Sequence, residues 1–166
     1  TALGSAFTAA TATTTATSGS FIATNDTLLL VAIAATDDAA TIGAVTMSST
    51  HAGIDDTAWV GIEAEMVGGA ERMMAALYWV NPTQTGGGTI TVTLGTTVDR
   101  LHIRPLQITS NTRGKRPEQI GGTIADATAA GSASFTLSSA PATTSYVIGC
   151  IGSWDEPGDI LPGTTY

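Results

Sequence analysis

Residues 89 to 94 read Thr-Ile-Thr-Val-Thr-Leu, polar and apolar in strict alternation. A period of two belongs to a β-strand, because successive side chains point to opposite faces of the pleat. The run therefore predicts Ile90, Val92 and Leu94 on a buried face and the threonines on the other. Similar short runs recur to the C-terminus, separated by Gly, Pro, Asn and Asp. Runs at that spacing predict an all-β chain, a jelly-roll-like antiparallel β-sandwich of about nine or ten strands with little helix.

The rest of the chain extends this reading. Residues 1–18 are rich in Thr and Ala and form either an arm or a first strand; residues 19–166 make a single sandwich domain. Leu28 to Ile33 is continuously apolar, as expected of a strand buried on both faces, and Asp37-Asp38 ends it. Thr41 to Met47 is a further strand, with Gly43 a candidate bulge. His51 to Asp56 is a loop. Trp59 to Val67 alternates, with Val60, Ile62, Ala64 and Met66 on one face and Glu63 and Glu65 on the other. Gly68-Gly69 makes a turn.

Glu71 to Val80 carries a conflict. Glu, Arg, Met, Ala and Leu favour helix, whereas Tyr78-Trp79-Val80 favours strand, and a strand is expected. Asn81 to Gly88 is an extended hairpin loop. Leu101 to Ile108 is a separate strand, with Pro105 marking an edge or a bulge. Asn111 to Gly122 is a basic loop, and Ser134–Leu137 and Ser145–Trp154 are the last strands. The expected core is Leu28, Leu30, Val31, Ile33, Val60, Ile62, Leu77, Trp79, Ile90, Val92, Leu101, Ile103, Val147 and Ile151.

Composition narrows the function. Hydrophobic residues make up 43% and charged residues 12%, so the surface is covered by Thr, Ser, Ala and Gly or buried against other subunits. The formal charge is −8, which argues against general nucleic-acid binding, since phosphate affinity needs clustered cations. Five of the 6 basic residues nonetheless fall in one segment: Arg100, Arg104, Arg113, Lys115 and Arg116, with only Arg72 elsewhere. Cys150 is alone, so no intrachain disulfide forms, and its apolar run marks it as buried. The N-terminus Thr1-Ala2-Leu3-Gly4-Ser5 lacks the basic and apolar regions of a signal peptide. That suggests a protein made in the cytoplasm, with a processed mature form as the alternative. No stretch approaches the ~20 apolar residues of a membrane-crossing helix.

The order Leu28-Leu29-Leu30-Val31-Ala32-Ile33-Ala34, then Ala75-Ala76-Leu77-Tyr78-Trp79-Val80-Asn81-Pro82, then a Gly-rich turn and Thr89-Ile90-Thr91-Val92-Thr93, resembles a recurrent β-sandwich module. Such Thr/Ala/Gly-rich modules occur in phage virion proteins and large bacterial surface proteins. The likeness covers roughly residues 20 to 155 at the level of pattern. Ser48-Ser49-Thr50 stands where these modules often carry a Gly-Gly turn. The resemblance implies a non-enzymatic scaffold or adhesive role and carries over no catalytic residue.

The residues that could carry chemistry are few. His51 lies near Asp55 and Asp56, but no His-x-His or Cys cluster supports a metal there, and a structural or solvated histidine is expected. His102 is expected outward, beside Arg100 and Arg104. Glu63 and Glu65 share a strand face without an evident pocket, and a solvated face is expected. Asp37-Asp38, Asp55-Asp56 and Asp155-Glu156 lack the Asp-x-Asp-x-Asp-Gly spacing of a calcium loop. Gly86-Gly87-Gly88 lacks the Lys-Ser/Thr ending of a phosphate loop. Asn25-Asp26-Thr27 matches a glycosylation sequon, which has no bearing in a bacterial or viral protein. Trp59 and Trp79 are expected in the core, and Trp154 is a candidate for exposure.

No catalytic residue, cofactor or metal is therefore expected. The best functional candidates are Arg113, Lys115 and Arg116, with Arg100 and Arg104, as a basic surface that docks on an acidic partner. The expectation is a virion structural protein, foremost a phage capsid decoration protein, assembled in the host cytoplasm onto the major capsid protein or other virion proteins. A homo-oligomer, by analogy a trimer, is expected, with neither nucleic acid nor membrane as partner. The alternative is a secreted or cell-surface adhesion or carbohydrate-binding module.

Overall fold

The computed structural model describes residues 7–38, 41–68, 71–109 and 148. The basic loop, Cys150, Trp154, the core candidates Val147 and Ile151 and the last expected strands lie outside them. The described residues are all-β, with antiparallel strands and no helix. Eight strands follow one another: β1 (Phe7–Thr17), β2 (Phe21–Ala23), β3 (Leu28–Asp37), β4 (Val45–Ser49), β5 (Val60–Gly68), β6 (Glu71–Val80), β7 (Gly86–Gly88) and β8 (Ile90–Ile108). Six form one sheet in the order β1-β8-β3-β6-β5, with β4 also paired to β8. β2 and β7 form a separate two-stranded ribbon.

The sheet is organised around β8, which runs for 19 residues. β1 lies along it from Phe7↔Ile103 to Thr17↔Thr91. β4 pairs with Ile90–Leu94, and β3 with Arg100–Ile108. The expected strand Leu101–Ile108 is thus the second half of the strand that begins with the threonine run.

The burial alternation changes phase within β8. Ile90, Val92, Leu94 and Val98 point inward, then Leu101 and Ile103, while Asp99 and Arg100 are both exposed. This slip lies opposite the register shift between Ala10 and Thr13 on β1, where Ala12 has a φ of 27°. An extra residue on one strand re-aims the side chains that follow. Pro105 is fully buried opposite Val31. It lies past the last described β1 pair at Ile103, so its missing N–H leaves no described β1 partner without a donor.

Leu28 to Ile33 is buried on both faces, as its unbroken apolar run predicts. Leu29, Val31, Ile33 and Ala35 enter the main core with Ile90, Val92, Leu94, Val98, Leu101, Ile103, Met74 and Ala76. Leu28 and Leu30 face a second cluster with Trp79, flanked by Ile62, Leu77, Leu106, Ile108 and Ile148. Burying a side chain of this size contributes about 1.5–3 kcal/mol, so the two-sided β3 is the strand the fold can least lose. Glu71–Val80 is extended despite its helix-favouring composition, because β3 and β5 flank it on both sides. Tertiary pairing overrides a propensity of a few tenths of a kcal/mol per residue.

Three local expectations are corrected. Val60 is 52% exposed rather than in the core, because among the described residues β5 has a neighbour on one side only, β6. Ile62 and Leu77 are half-buried for the same proximity to that edge. The strand expected over Thr41–Met47 is Val45–Ser49. Gly43 precedes it, and a Cβ there would lie 2.9 Å from the Gly95 Cα. The Thr96 hydroxyl holds this approach, donating to Thr41 O at 2.8 Å and accepting from Gly43 N–H at 3.2 Å. Finally, Gly86–Gly88 is a strand rather than loop, paired with Phe21–Ala23.

Candidate functional site

The described basic residues of β8 fall on one face. Arg100, His102 and Arg104 pair with Thr36, Ala34 and Ala32 of β3, so small residues lie beside all three. Arg100 is exposed, and His102 and Arg104 are half-buried. Burial, then the charge of Arg100, holds His102 below its ordinary value of 6.5. The imidazole is therefore neutral at neutral pH, and the row's positive charge sits on the two arginines. Farther along the same face come Leu106 and Ile108, beside Leu30 and Leu28. A partner seated here would meet two cations and then an apolar shoulder. Exposed Asp99 adjoins the row. Of the five candidate docking residues, Arg100 and Arg104 are thus placed together. Arg113, Lys115 and Arg116 lie outside the described residues.

The candidate acids have structural partners. Glu63 is exposed and accepts a hydrogen bond from the Tyr78 hydroxyl across the β5–β6 pair. Burial first, then Glu63, pushes the Tyr78 phenol upward, so it stays a donor through the neutral range. The ring lies flat over Gly61, where a Cβ would come within 2.5 Å of it. Asp55 accepts from the Thr57 hydroxyl at 2.7 Å and its N–H at 2.9 Å. Those bonds hold its carboxyl below 3.8. Asp56 accepts from Ser49 N–H at 2.8 Å. Such bonds to a carboxylate fix a loop by satisfying backbone donors. Among the described residues, no group of three His, Cys, Asp or Glu could hold a metal ion.

His51 is placed where its sequence context gives little hint, at 1% exposure. Its Nδ1 accepts from Gly53 N–H at 3.0 Å, which leaves the neutral ring's proton on Nε2. Its ring stacks on Phe21, centroids 6.3 Å apart and planes 7° from parallel. A Cβ on Gly88 would lie 2.7 Å from the His51 Cβ. The histidine thus packs the β4–β5 loop against the β2–β7 ribbon. The glycine run is what lets it fit, and that run is the one sequence signal that could have located it. Its Nε2, like the Trp59 indole nitrogen, is buried with no hydrogen-bond partner among the described residues.

These arrangements comprise a row of two arginines and a set of packing and loop-fixing contacts. No family model, curated protein or solved structure matches the chain.

Proposed function

We propose that this chain is a non-enzymatic structural protein of a virus particle, foremost a phage capsid decoration protein, with its strands closed as a jelly-roll-like sandwich. The observation that carries the reading is charge placement. The chain has a formal charge of −8, yet Arg100 and Arg104 stand on one strand face beside small residues and an apolar shoulder. Copies of an acidic protein repel at neutral pH. A local cationic face permits close seating on an acidic neighbour and fixes its register. The partner is the major capsid protein or another virion protein. By sequence Arg113, Lys115 and Arg116 join the proposed docking set, and the protein acts as a homo-oligomer, by analogy a trimer. A secreted or cell-surface adhesion or carbohydrate-binding module is the second reading, favoured by an uncharged hydroxyl face on the first half of β8.

The test is mass spectrometry of purified particles from cells carrying the gene, followed by rebinding to stripped particles. The protein is expected in the particles. Arg100→Gln with Arg104→Gln should weaken rebinding at low salt, with the difference shrinking as salt rises, because exposed charges are screened beyond ~8 Å at physiological ionic strength. Absence from purified particles would overturn the reading.

A further inference from the structure

The solvent face of β1, β8 and β4 is a two-dimensional array of hydroxyls. Register places Thr15, Thr93 and Thr46 in one row and Thr17, Thr91 and Ser48 in the next. Thr89 and Thr50 continue it, since Thr50 N–H donates to Thr89 O at 3.1 Å and Thr89 N–H to the Thr50 hydroxyl at 2.9 Å. All eight are exposed or half-exposed, while Ile90, Val92 and Leu94 occupy the opposite face. Segments 13–19, 44–50 and 89–97 contain no charged residue, although the chain has 20 (6 Lys and Arg, 14 Asp and Glu).

Some hydroxyls are already ordered. Thr17 and Thr91 bond to each other at 2.9 Å, as do Thr50 and Thr89 at 3.1 Å, and Thr46 donates to Thr93 O at 3.2 Å. A hydroxyl has one donor and two acceptor sites, so within each bonded pair the accepting partner keeps its own proton to donate outward. Rows about 4.8 Å apart across strands and about 6.8 Å apart along them give a footprint on the order of 300 Å². That is well below the ~800 Å² per partner of a stable protein interface, which argues against a second copy. The missing charge argues against an ionic ligand. A neutral ligand that itself offers hydroxyls, each both donor and acceptor, fits the area and the bonding capacity together.

We infer that this face binds a neutral polysaccharide chain laid across the threonine rows. The site is separate from the cationic row and goes beyond the particle-docking reading, so particle rebinding and polysaccharide binding fail independently. The test is native electrophoresis of the whole chain through gels containing dextran, a mixed-linkage glucan or a galactomannan, with alginate as the charged control. The wild type should be retarded by at least one neutral polymer and not by alginate. Thr91→Val with Thr93→Val keeps shape and strand preference but removes two hydroxyls. It should lose at least half of that retardation while melting like the wild type. A second pair, Thr46→Val with Thr15→Val, guards against a local folding defect and should act the same way. No retardation by any neutral polymer would overturn the inference, and so would equal retardation of wild type and both variants.

Discussion

The two halves of β8 share one backbone and one period of two, with a phase slip between them, but differ in what shelters them. Residues 90–94 lie between β1 and β4, with one face in the core and a hydroxyl face in solvent. Residues 101–108 lie beside β3, and both of their faces take part in apolar clusters. Threonine suffices on the outer face of the first half. On the corresponding face of the second half the chain places arginine, a depressed histidine, Leu106 and Ile108. Alternation thus reports which residues are inside, whereas the neighbouring strands decide how wet the other side is.

The comparison breaks most sharply at its buried positions. Val92→Asp and Ile103→Asp place a charge at sites with no exposed surface, and both variants should fail to fold, since an unpaired buried charge costs several kcal/mol. Ile62→Asp, at a half-buried site near the sheet edge, should be damaged less. Soluble, cooperatively melting Val92→Asp and Ile103→Asp proteins would contradict the placement. Ile103→Ala should cost about 2–5 kcal/mol in denaturant unfolding, and Leu106→Ala, on the half-buried face, clearly less.

Gly61→Ala comes next. The added methyl meets the Tyr78 ring, so a loss of about 1–3 kcal/mol is expected from overpacking. Tyr78→Phe in the same background should restore little, because the ring clash persists.

The pH response is smaller. The folded protein holds His102 below 6.5, so the unfolded chain binds the proton more readily. The stability it contributes is therefore present above pH 6.5 and falls as acid protonates the unfolded chain. His102→Gln should flatten the melting temperature over the acidic limb. An unchanged slope would show that other groups set it. Smallest of all, Thr91→Val should change stability by no more than about 0.5 kcal/mol, since the hydrogen bond it loses to Thr17 is exposed and water replaces it.

Where one side chain's environment is set by its own strand, sequence was sufficient. Ile90, Val92 and Leu94 lie inward, and Leu28 to Ile33 is buried on two sides, because period and run length carry that information. His102 falls beside Arg100 and Arg104 for the same reason. What the sequence left hidden depends on other strands. Val60 looks like core until its strand proves to be an edge among the described strands. His51 looks like a loop residue until Phe21, 30 positions before it, and Gly86 to Gly88, 35 to 37 positions after it, are folded against it. The expectation of a separate strand at Leu101 to Ile108 missed that residues 95–100 stay extended and join it to 90–94. Of the proposed docking residues, the alternation could place Arg100 and Arg104; no periodic pattern places Arg113, Lys115 or Arg116.

The central position of β8 also governs when the sheet can form. β5 and β6 are neighbours along the chain, and β3 meets β6 through pairs such as Asp37↔Arg72. β1 and β3, by contrast, wait for residues up to Ile103 and Ile108. The chain thus emerges with its threonine-rich first strand unpaired until the eighth is made, and one late strand then closes β1, β3 and β4 together. Non-local pairing of this kind slows folding, because chain closure precedes its reward. An unpaired strand is also open to neighbouring chains in the meantime. A truncation ending before Ile90 should leave β1 without its described partner β8 and aggregate, a tendency that the polar side chains of Thr13 to Thr17 limit in water.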